Sequence, residues 1–338
     1  MSTPFFIVGA SRSGTTLLRL MLNAHSRLGI PREMKYFHTI GRTVDPKSWH
    51  EEIPDDSYRP LVRQYLQNRR DLFSDDLDAL EAMVMADPER TLRGPYRVLM
   101  EYWGRTLNKP RWGEKTPHNL FYVDVLSDMF PGAKFIHVVR DPRAVTQSMN
   151  SIEYYSGETV FNALNWRRSI RAGEALLEQS LSSDQQCTIK YEDLVSAPDA
   201  TLRKICHFLE ESYEPSMLKF YETAADHMPS TIRTPSIRGP VNQNSLSKWK
   251  ERLSALETEI VESTCSEEMD RLGYERSTTS TPSVDVRTSL KAAYWHWKSW
   301  QHRTQRGYEV GYPWFAGLRS WIRQWRPQLS ARPQRETS

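Results

Sequence analysis

The run Phe5-Phe6-Ile7-Val8-Gly9 passes directly into Gly9-Ala10-Ser11-Arg12-Ser13-Gly14-Thr15-Thr16, and this junction constrains the fold more than any other feature of the chain. A continuously apolar, aromatic and β-branched stretch ended by Gly predicts a short buried strand. A helix should follow, with Thr15 and Thr16 available as caps and Leu17, Leu18, Leu20, Met21 and Leu22 filling most of its circumference. The G-x-x-x-x-G spacing between strand and helix places backbone N–H groups and a helix N-terminus around an anion. The lysine that reaches the outer phosphates of a triphosphate is absent. Thr15 stands in its place, and a cation comes earlier, as Arg12. The nest therefore suits one phosphate and a neighbouring anionic group.

Further along, Ala133-Lys134-Phe135-Ile136-His137-Val138-Val139 reads as a second strand, bounded by Pro131-Gly132 and Asp141-Pro142. Residues 142–151 and 159–181 are helical by pattern, Cys187-Thr188-Ile189-Lys190 is a third strand, and Asp199 to Leu209 a further helix. Strands alternating with helices predict an α/β fold, a P-loop-type parallel sheet flanked by helices. Residues 45–110 carry helical patterns broken by Pro, Asp and Gly, and read as a helical insertion. In open α/β sheets ligands bind outside the carboxyl ends of strands at a switch point. Arg140 falls at such an end, and Ser148 lies two turns along the next helix.

Composition sorts the remaining possibilities. Mean hydropathy is −0.64 and hydrophobic residues make up 38%; no run approaches the roughly 18 apolar residues of a membrane span. A soluble globular chain is expected. Its formal charge of +3 is an average of unlike parts. From Val284 to Ser338 there are ten Lys/Arg against three Asp/Glu, a net of +7, which leaves −4 on residues 1–283. Six of the eleven Trp lie in this tail. Residues 276–283 have linker composition and separate the tail from the body. Three cysteines without CxxC spacing argue against a disulfide framework and a structural zinc site, and no clustered ligand set calls for a metal. No secretory signal precedes the first strand, so a cytoplasmic location is expected.

At these residues the chain resembles the PAPS-dependent sulfotransferases. Arg12-Ser13-Gly14-Thr15-Thr16 matches their 5′-phosphosulfate loop, and the segment from Arg140 to Ser148 matches their 3′-phosphate motif. Pro31-Arg32-Glu33, Glu114-Lys115-Thr116-Pro117, Tyr191-Glu192-Asp193-Leu194-Val195, Pro240-Val241-Asn242, Leu246-Ser247-Lys248-Trp249 and Leu272-Gly273-Tyr274 look closest to the branch holding tyrosylprotein sulfotransferases and related bacterial enzymes. The motifs run in order over about four fifths of the chain, which gives a sulfotransferase domain over 1–275.

The resemblance implies sulfuryl transfer from PAPS to an acceptor hydroxyl, without a metal, leaving a sulfate ester and PAP. Glu33 is then the base, with His38 and His118 as rivals because many cytosolic sulfotransferases use His. A bland reading pairs Glu33 with Arg32 and Lys35 in a surface turn. Lys115 would stabilise the leaving oxygen, or, on the structural alternative, cap a helix or pair with Glu114. Ser247 matches a family serine beside the sulfuryl group, while Lys248 and Trp249 fit packing beneath the loop equally well. Arg12 would bind sulfuryl or 5′-phosphate oxygens alongside Ser13, Gly14, Thr15 and Thr16. Arg140 and Ser148 would hold the 3′-phosphate, and Tyr191 would contact the nucleotide.

Two other functions stay open: a P-loop small-molecule kinase, which the missing loop lysine opposes, and a non-catalytic nucleotide-binding protein that docks on membranes. The acceptor class is broad, covering lipid, glycan, small metabolite or peptide tyrosine, and residues 39–110 should cap its side of the site. Protein tyrosine is not favoured, because animal tyrosylprotein sulfotransferases carry an anchor and disulfides that this chain does not show. In the 284–338 tail, Trp314, Phe315, Leu318, Trp321, Ile322 and Trp325 share one helical face, with Arg319, Arg323 and Arg326 on its flank. This pattern fits peripheral membrane contact. It equally fits packing on the body or on a second subunit of a homodimer, and nucleic acid ranks third because no recognition module accompanies the charge.

Overall fold

The computed structural model describes residues 3–41, 43–73, 76–152, 158–223 and 239–277. The tail at 284–338 and most of the 276–283 linker lie outside the described residues. Five parallel strands form one sheet: β1 (Phe5–Gly9), β2 (Leu28–Gly29), β3 (Arg111–Lys115), β4 (Lys134–Val139) and β5 (Gln186–Lys190), in the order β2-β3-β1-β4-β5. The three strands expected from the sequence are β1, β4 and β5. β1 lies at the centre because it is apolar on both sides and can be covered by helices on both. Phe6, Val8 and Phe135 pack toward Tyr36, Tyr65, Tyr96 and Leu99, whereas Phe5, Ile7, Ile136 and Val138 pack toward Leu18, Met21, Leu202 and Ile205. Fully burying one such side chain contributes about 1.5–3 kcal/mol. The apolar run thus hides an ordinary strand alternation in which each face has its own core.

Register brings the functional ends together. Ile7 pairs with Lys115 of β3 on one side and Ile136 of β4 on the other, and Gly9 pairs with Val138. The chain leaving β1 therefore enters its loop between the carboxyl ends of β3 and β4, the switch point of the sheet. Between residues 45 and 110 lie the helices Asp55–Asn68, Leu77–Ala86 and Arg93–Thr106. The first of these sends Tyr65 and Arg69 toward the turn after the first helix.

After β4, Asp141-Pro142-Arg143 turns the chain into the helix Pro142–Asn150. The Asp141 side chain caps the helix by accepting from Arg143 N (2.8 Å), with Pro142 in the first turn, where a missing N–H costs nothing. Buried Arg143 also donates to Glu262 Oε1 (2.6 Å) and lies 4.1 Å over the Trp249 ring. Trp249 is buried, as its packing reading anticipates, and Lys248 is exposed. Glu192 joins two further segments: Oε1 accepts from Asp141 N (3.0 Å) and Oε2 from the Tyr274 hydroxyl (3.0 Å). Among the described residues, no helix is long and apolar enough to cross a membrane.

Candidate active site

Gly14 decides how the loop after β1 becomes a helix. It has φ 93°, in the left-handed region that favours glycine, and serves as N-cap of the helix Thr15–Asn23 with no side-chain cap bond. Thr15 and Thr16 therefore sit inside the first turn instead of capping it, a correction to the sequence expectation. A Cβ on Gly14 would lie 2.1 Å from Cδ2 of Tyr191, so the aromatic ring occupies the space that any larger residue needs. Ser13 N donates to Ala10 O (3.2 Å) and closes the loop.

The cations of the loop come from two directions. Arg12 Nε donates to Ser148 Oγ (3.1 Å), while Arg140 Nη1 donates to the Arg12 carbonyl (3.0 Å) and Nη2 to the Ser245 carbonyl (3.0 Å). The Arg140 guanidinium lies 4.2 Å over the Tyr191 ring, and the Tyr191 hydroxyl is 2.8 Å from Ser245 Oγ. Fully buried Ser13 Oγ and the buried Nε of Arg140 have no hydrogen-bond partner among the described residues. Leaving such a group unpaired costs about 1–3 kcal/mol. Two of them beside one loop, together with the helix N-terminus, match a ligand that brings anionic acceptors.

On the other side of the loop stand Glu33 and Lys115. Lys115 ends β3, its side chain 4% exposed, and its Nζ reaches Glu33 Oε1 at 2.5 Å and Thr16 Oγ1 at 3.2 Å. Glu33 remains 31% exposed, with Lys35 Nζ 3.9 Å from its other oxygen. Burial alone would raise the Glu33 pKa, but the charge and hydrogen bond of Lys115, with Lys35 and His118 behind them, hold it below its ordinary 4.5. Burial likewise lowers the Lys115 pKa from its usual 10.5, with Glu33 opposing. Nearby, Arg19 is 2% exposed, and burial lowers its pKa to about 10 against the counteracting charge of Glu33.

Of the rival bases, His118 places Nε2 3.3 Å from Ser11 Oγ, and burial lowers its pKa. His38 is half-buried in the short helix Tyr36–Ile40. Arg12, Ser13, Gly14, Thr15, Thr16, Glu33, Lys115, Arg140, Ser148 and Tyr191 thus gather around one switch point. Ser247 is exposed on the helix Asn244–Arg252, and Ser245, two residues earlier on that helix, makes the contacts to Arg140 and Tyr191. Ser245 was hidden in the sequence because a serine one helical half-turn away carries the family match. The pairing offered for Lys115 is also corrected: its partner is Glu33, while neighbouring Glu114 bonds to Met34, Thr116 and Asn119.

The chain is similar to several known proteins. A model of the sulfotransferase family matches residues 4–215. The chain is 29% identical over 269 residues to protein-tyrosine sulfotransferase 1 of Danio rerio, covering 74% of this chain and 68% of the relative. It is 24% identical over 328 residues to the omega-hydroxy-beta-dihydromenaquinone-9 sulfotransferase of Mycobacterium bovis, covering 81% and 76%. The chain spans between 30% and 79% of the length of the curated relatives it matches. Among solved structures, the sulfotransferase domain of the Synechococcus PCC 7002 olefin synthase superposes with a TM-score of 0.56 at 22% identity, covering 81% of this chain and 96% of that domain.

Proposed function

The chain belongs to the sulfotransferase family, and from that premise we propose that it moves the sulfuryl group of PAPS to an acceptor hydroxyl, yielding a sulfate ester and PAP. The observation that carries this reading is the position of Lys115, whose amine touches both Glu33 and Thr16 in the first turn of the loop helix. In an in-line transfer the bond from sulfur to the bridging oxygen breaks as the bond to the acceptor oxygen forms. The acceptor proton passes to Glu33. Negative charge grows on the bridging oxygen, and Lys115, a compact cation on a flexible stem, shifts its hydrogen bond from Glu33 to that oxygen. One motion thus frees the base and stabilises the leaving group.

Arg12 and the N–H groups of Ser13 to Thr16 would hold the 5′ side of the donor. Arg140 and Ser148 would take the 3′-phosphate, for which a planar guanidinium is suited to bidentate contact. Tyr191 already braces Arg140 and closes the space beside Gly14. Ser247 keeps its proposed role near the sulfuryl group from the same helix as Ser245.

The acceptor is proposed as a hydroxyl. The relatives' names span protein tyrosine and an omega-hydroxylated lipid quinone, and both present that group. The helical insertion is proposed to cap the acceptor side, and the 284–338 tail to make peripheral contact with the membrane of a cytoplasmic enzyme. The experiment is incubation with labelled PAPS and, in parallel, a tyrosine peptide and a long-chain alcohol in vesicles, alongside calorimetric titration of PAP and ATP. Sulfation of a hydroxyl with PAP bound in preference to ATP supports the reading. Preference for ATP with phosphate transfer would move the chain to the kinases.

A further inference from the structure

The turn that carries Glu33 is gripped by side chains at four successive backbone groups. Arg69 Nη2 donates to the Glu33 carbonyl (2.7 Å), and Met34 N donates to Glu114 Oε1 (3.2 Å). The Met34 carbonyl accepts from the Tyr65 hydroxyl (2.9 Å), and Lys35 N donates to Thr116 Oγ1 (3.1 Å). Lys35 itself sits at φ 50°, a left-handed conformation that a non-glycine residue adopts only when its surroundings hold it. Tyr65 and Arg69 come from the insertion. Glu114 and Thr116 flank Lys115 at the end of β3.

Glu114 is the hub of this clamp. It is fully buried, and besides Met34 N it accepts from Thr116 Oγ1 (2.5 Å) and Asn119 Nδ2 (2.5 Å). Burial raises the Glu114 pKa to about 7 against the hydrogen bonds of Thr116 and Met34, and Oε1 accepts from both of these while Oε2 accepts from Asn119. Successive residues of β3 thereby hold successive residues of the turn: Lys115 takes the Glu33 carboxylate and Glu114 takes the next backbone N–H. Displacement of a reacting group by about 1 Å can cost on the order of 100-fold in rate.

Resting on the proposed sulfuryl transfer, we infer that Glu114 is a positioning residue, whose buried carboxylate fixes the backbone of the Glu33 turn so that the base meets Lys115 and the acceptor in register. Glu114→Leu keeps most of the volume and removes the oxygen that accepts from both Met34 N and Thr116 Oγ1. Thr116→Val removes the hydroxyl that links Glu114 to Lys35, and Thr116→Ser keeps it.

The test combines hydrogen exchange at the Met34 and Lys35 amides with labelled-PAPS turnover, water serving as acceptor if neither hydroxyl probe is used. Exchange in Glu114→Leu and Thr116→Val should accelerate at least tenfold at those amides and remain unchanged in β1 and β4. The kcat should fall about 10- to 100-fold, with the KM for PAPS and the affinity for PAP within about threefold of the parent, and Thr116→Ser should recover both readouts. Unchanged exchange overturns the clamp whatever the turnover. Accelerated exchange with undiminished kcat overturns its role in positioning the base. A parent protein that turns over no PAPS, yet loses protection at these two amides on substitution, refutes the sulfotransferase reading and leaves the clamp standing.

Discussion

Lys115 and Glu33, 82 residues apart in the chain, meet at 2.5 Å at the carboxyl end of the strand beside β1. One partner is almost buried and the other opens to solvent. The cation thus lies at the inner end of the pair and the carboxylate at its solvent side. Removing the carboxylate should expose this division of labour. Glu33→Gln should lower kcat by about 10²- to 10⁴-fold, the usual contribution of a general base, while PAP affinity measured by calorimetry changes little. An equal loss of PAP affinity would place Glu33 among the donor contacts instead.

The base also has a pH signature. Because Lys115 holds the Glu33 pKa below 4.5 against the effect of burial, the acidic limb of the kcat/KM profile, which reports the free protein, should fall below that value. An acidic limb near 6 that disappears in His118→Asn would transfer the role to His118.

Gly14→Ala tests the loop. The new methyl meets Tyr191 and the backbone is left at φ 93°, a conformation costing an L-residue about 1–2 kcal/mol before any clash. PAP affinity should drop at least tenfold, and thermal unfolding should begin earlier. An alanine variant that binds PAP normally would show that the loop does not seat the nucleotide.

Arg140→Lys separates charge from shape. The guanidinium covers Tyr191 and bonds to two carbonyls at once, contacts that an ammonium cannot reproduce. The loss should be about 2 kcal/mol in PAP binding, roughly 30-fold, and much smaller for adenosine 5′-phosphosulfate, which lacks the 3′-phosphate. Equal losses for the two nucleotides would remove Arg140 from the 3′-phosphate site.

His137, in the middle of β4, supplies a stability prediction independent of function. It is 1% exposed, its Nε2 has no partner among the described residues, and burial lowers its pKa from 6.5 to about 4. Since the folded pKa is depressed, the unfolded chain takes up the proton first as pH falls. Stability should be intact above pH 6.5 and decline toward pH 4 by about 3 kcal/mol from this group. Chemical denaturation of parent and His137→Leu across that range should show the parent with the steeper slope; parallel slopes would assign acid sensitivity to other groups.

Much of this was legible along the chain. β1 and β4 are largely apolar runs, β5 is a short alternation, and the loop, Arg140 and Ser148 lie at fixed local offsets from β1 and β4. β3 was not read as a strand because Arg-Trp-Gly-Glu-Lys looks like surface. Its polar groups are buried only because distant partners wait for them: Thr3 for Arg111, Met34 for Glu114, and Glu33 for Lys115. The two-residue β2 offers no pattern at all. Tyr65 belongs to one of the helical patterns of the insertion, and nothing local to it or to Arg69 announces that they hold the main chain around Glu33. Family resemblance supplied Glu33 and Lys115 as separate residues, and the parallel pairing of β2 with β3, Gly29 beside Trp112, carries the turn after β2 to the end of β3 where they meet.

In the proposed mechanism one ion pair serves both proton removal and departure of the nucleotide. Its most direct test is the stoichiometry of PAP and sulfate ester formed from labelled PAPS by the parent protein and by Glu33→Gln. One ester per PAP is expected from the parent, and both products about 10²- to 10⁴-fold more slowly from the variant, although the variant still binds PAP. PAP formation at parental rate by Glu33→Gln, or an absence of PAP formation in the parent with every hydroxyl acceptor, would contradict it.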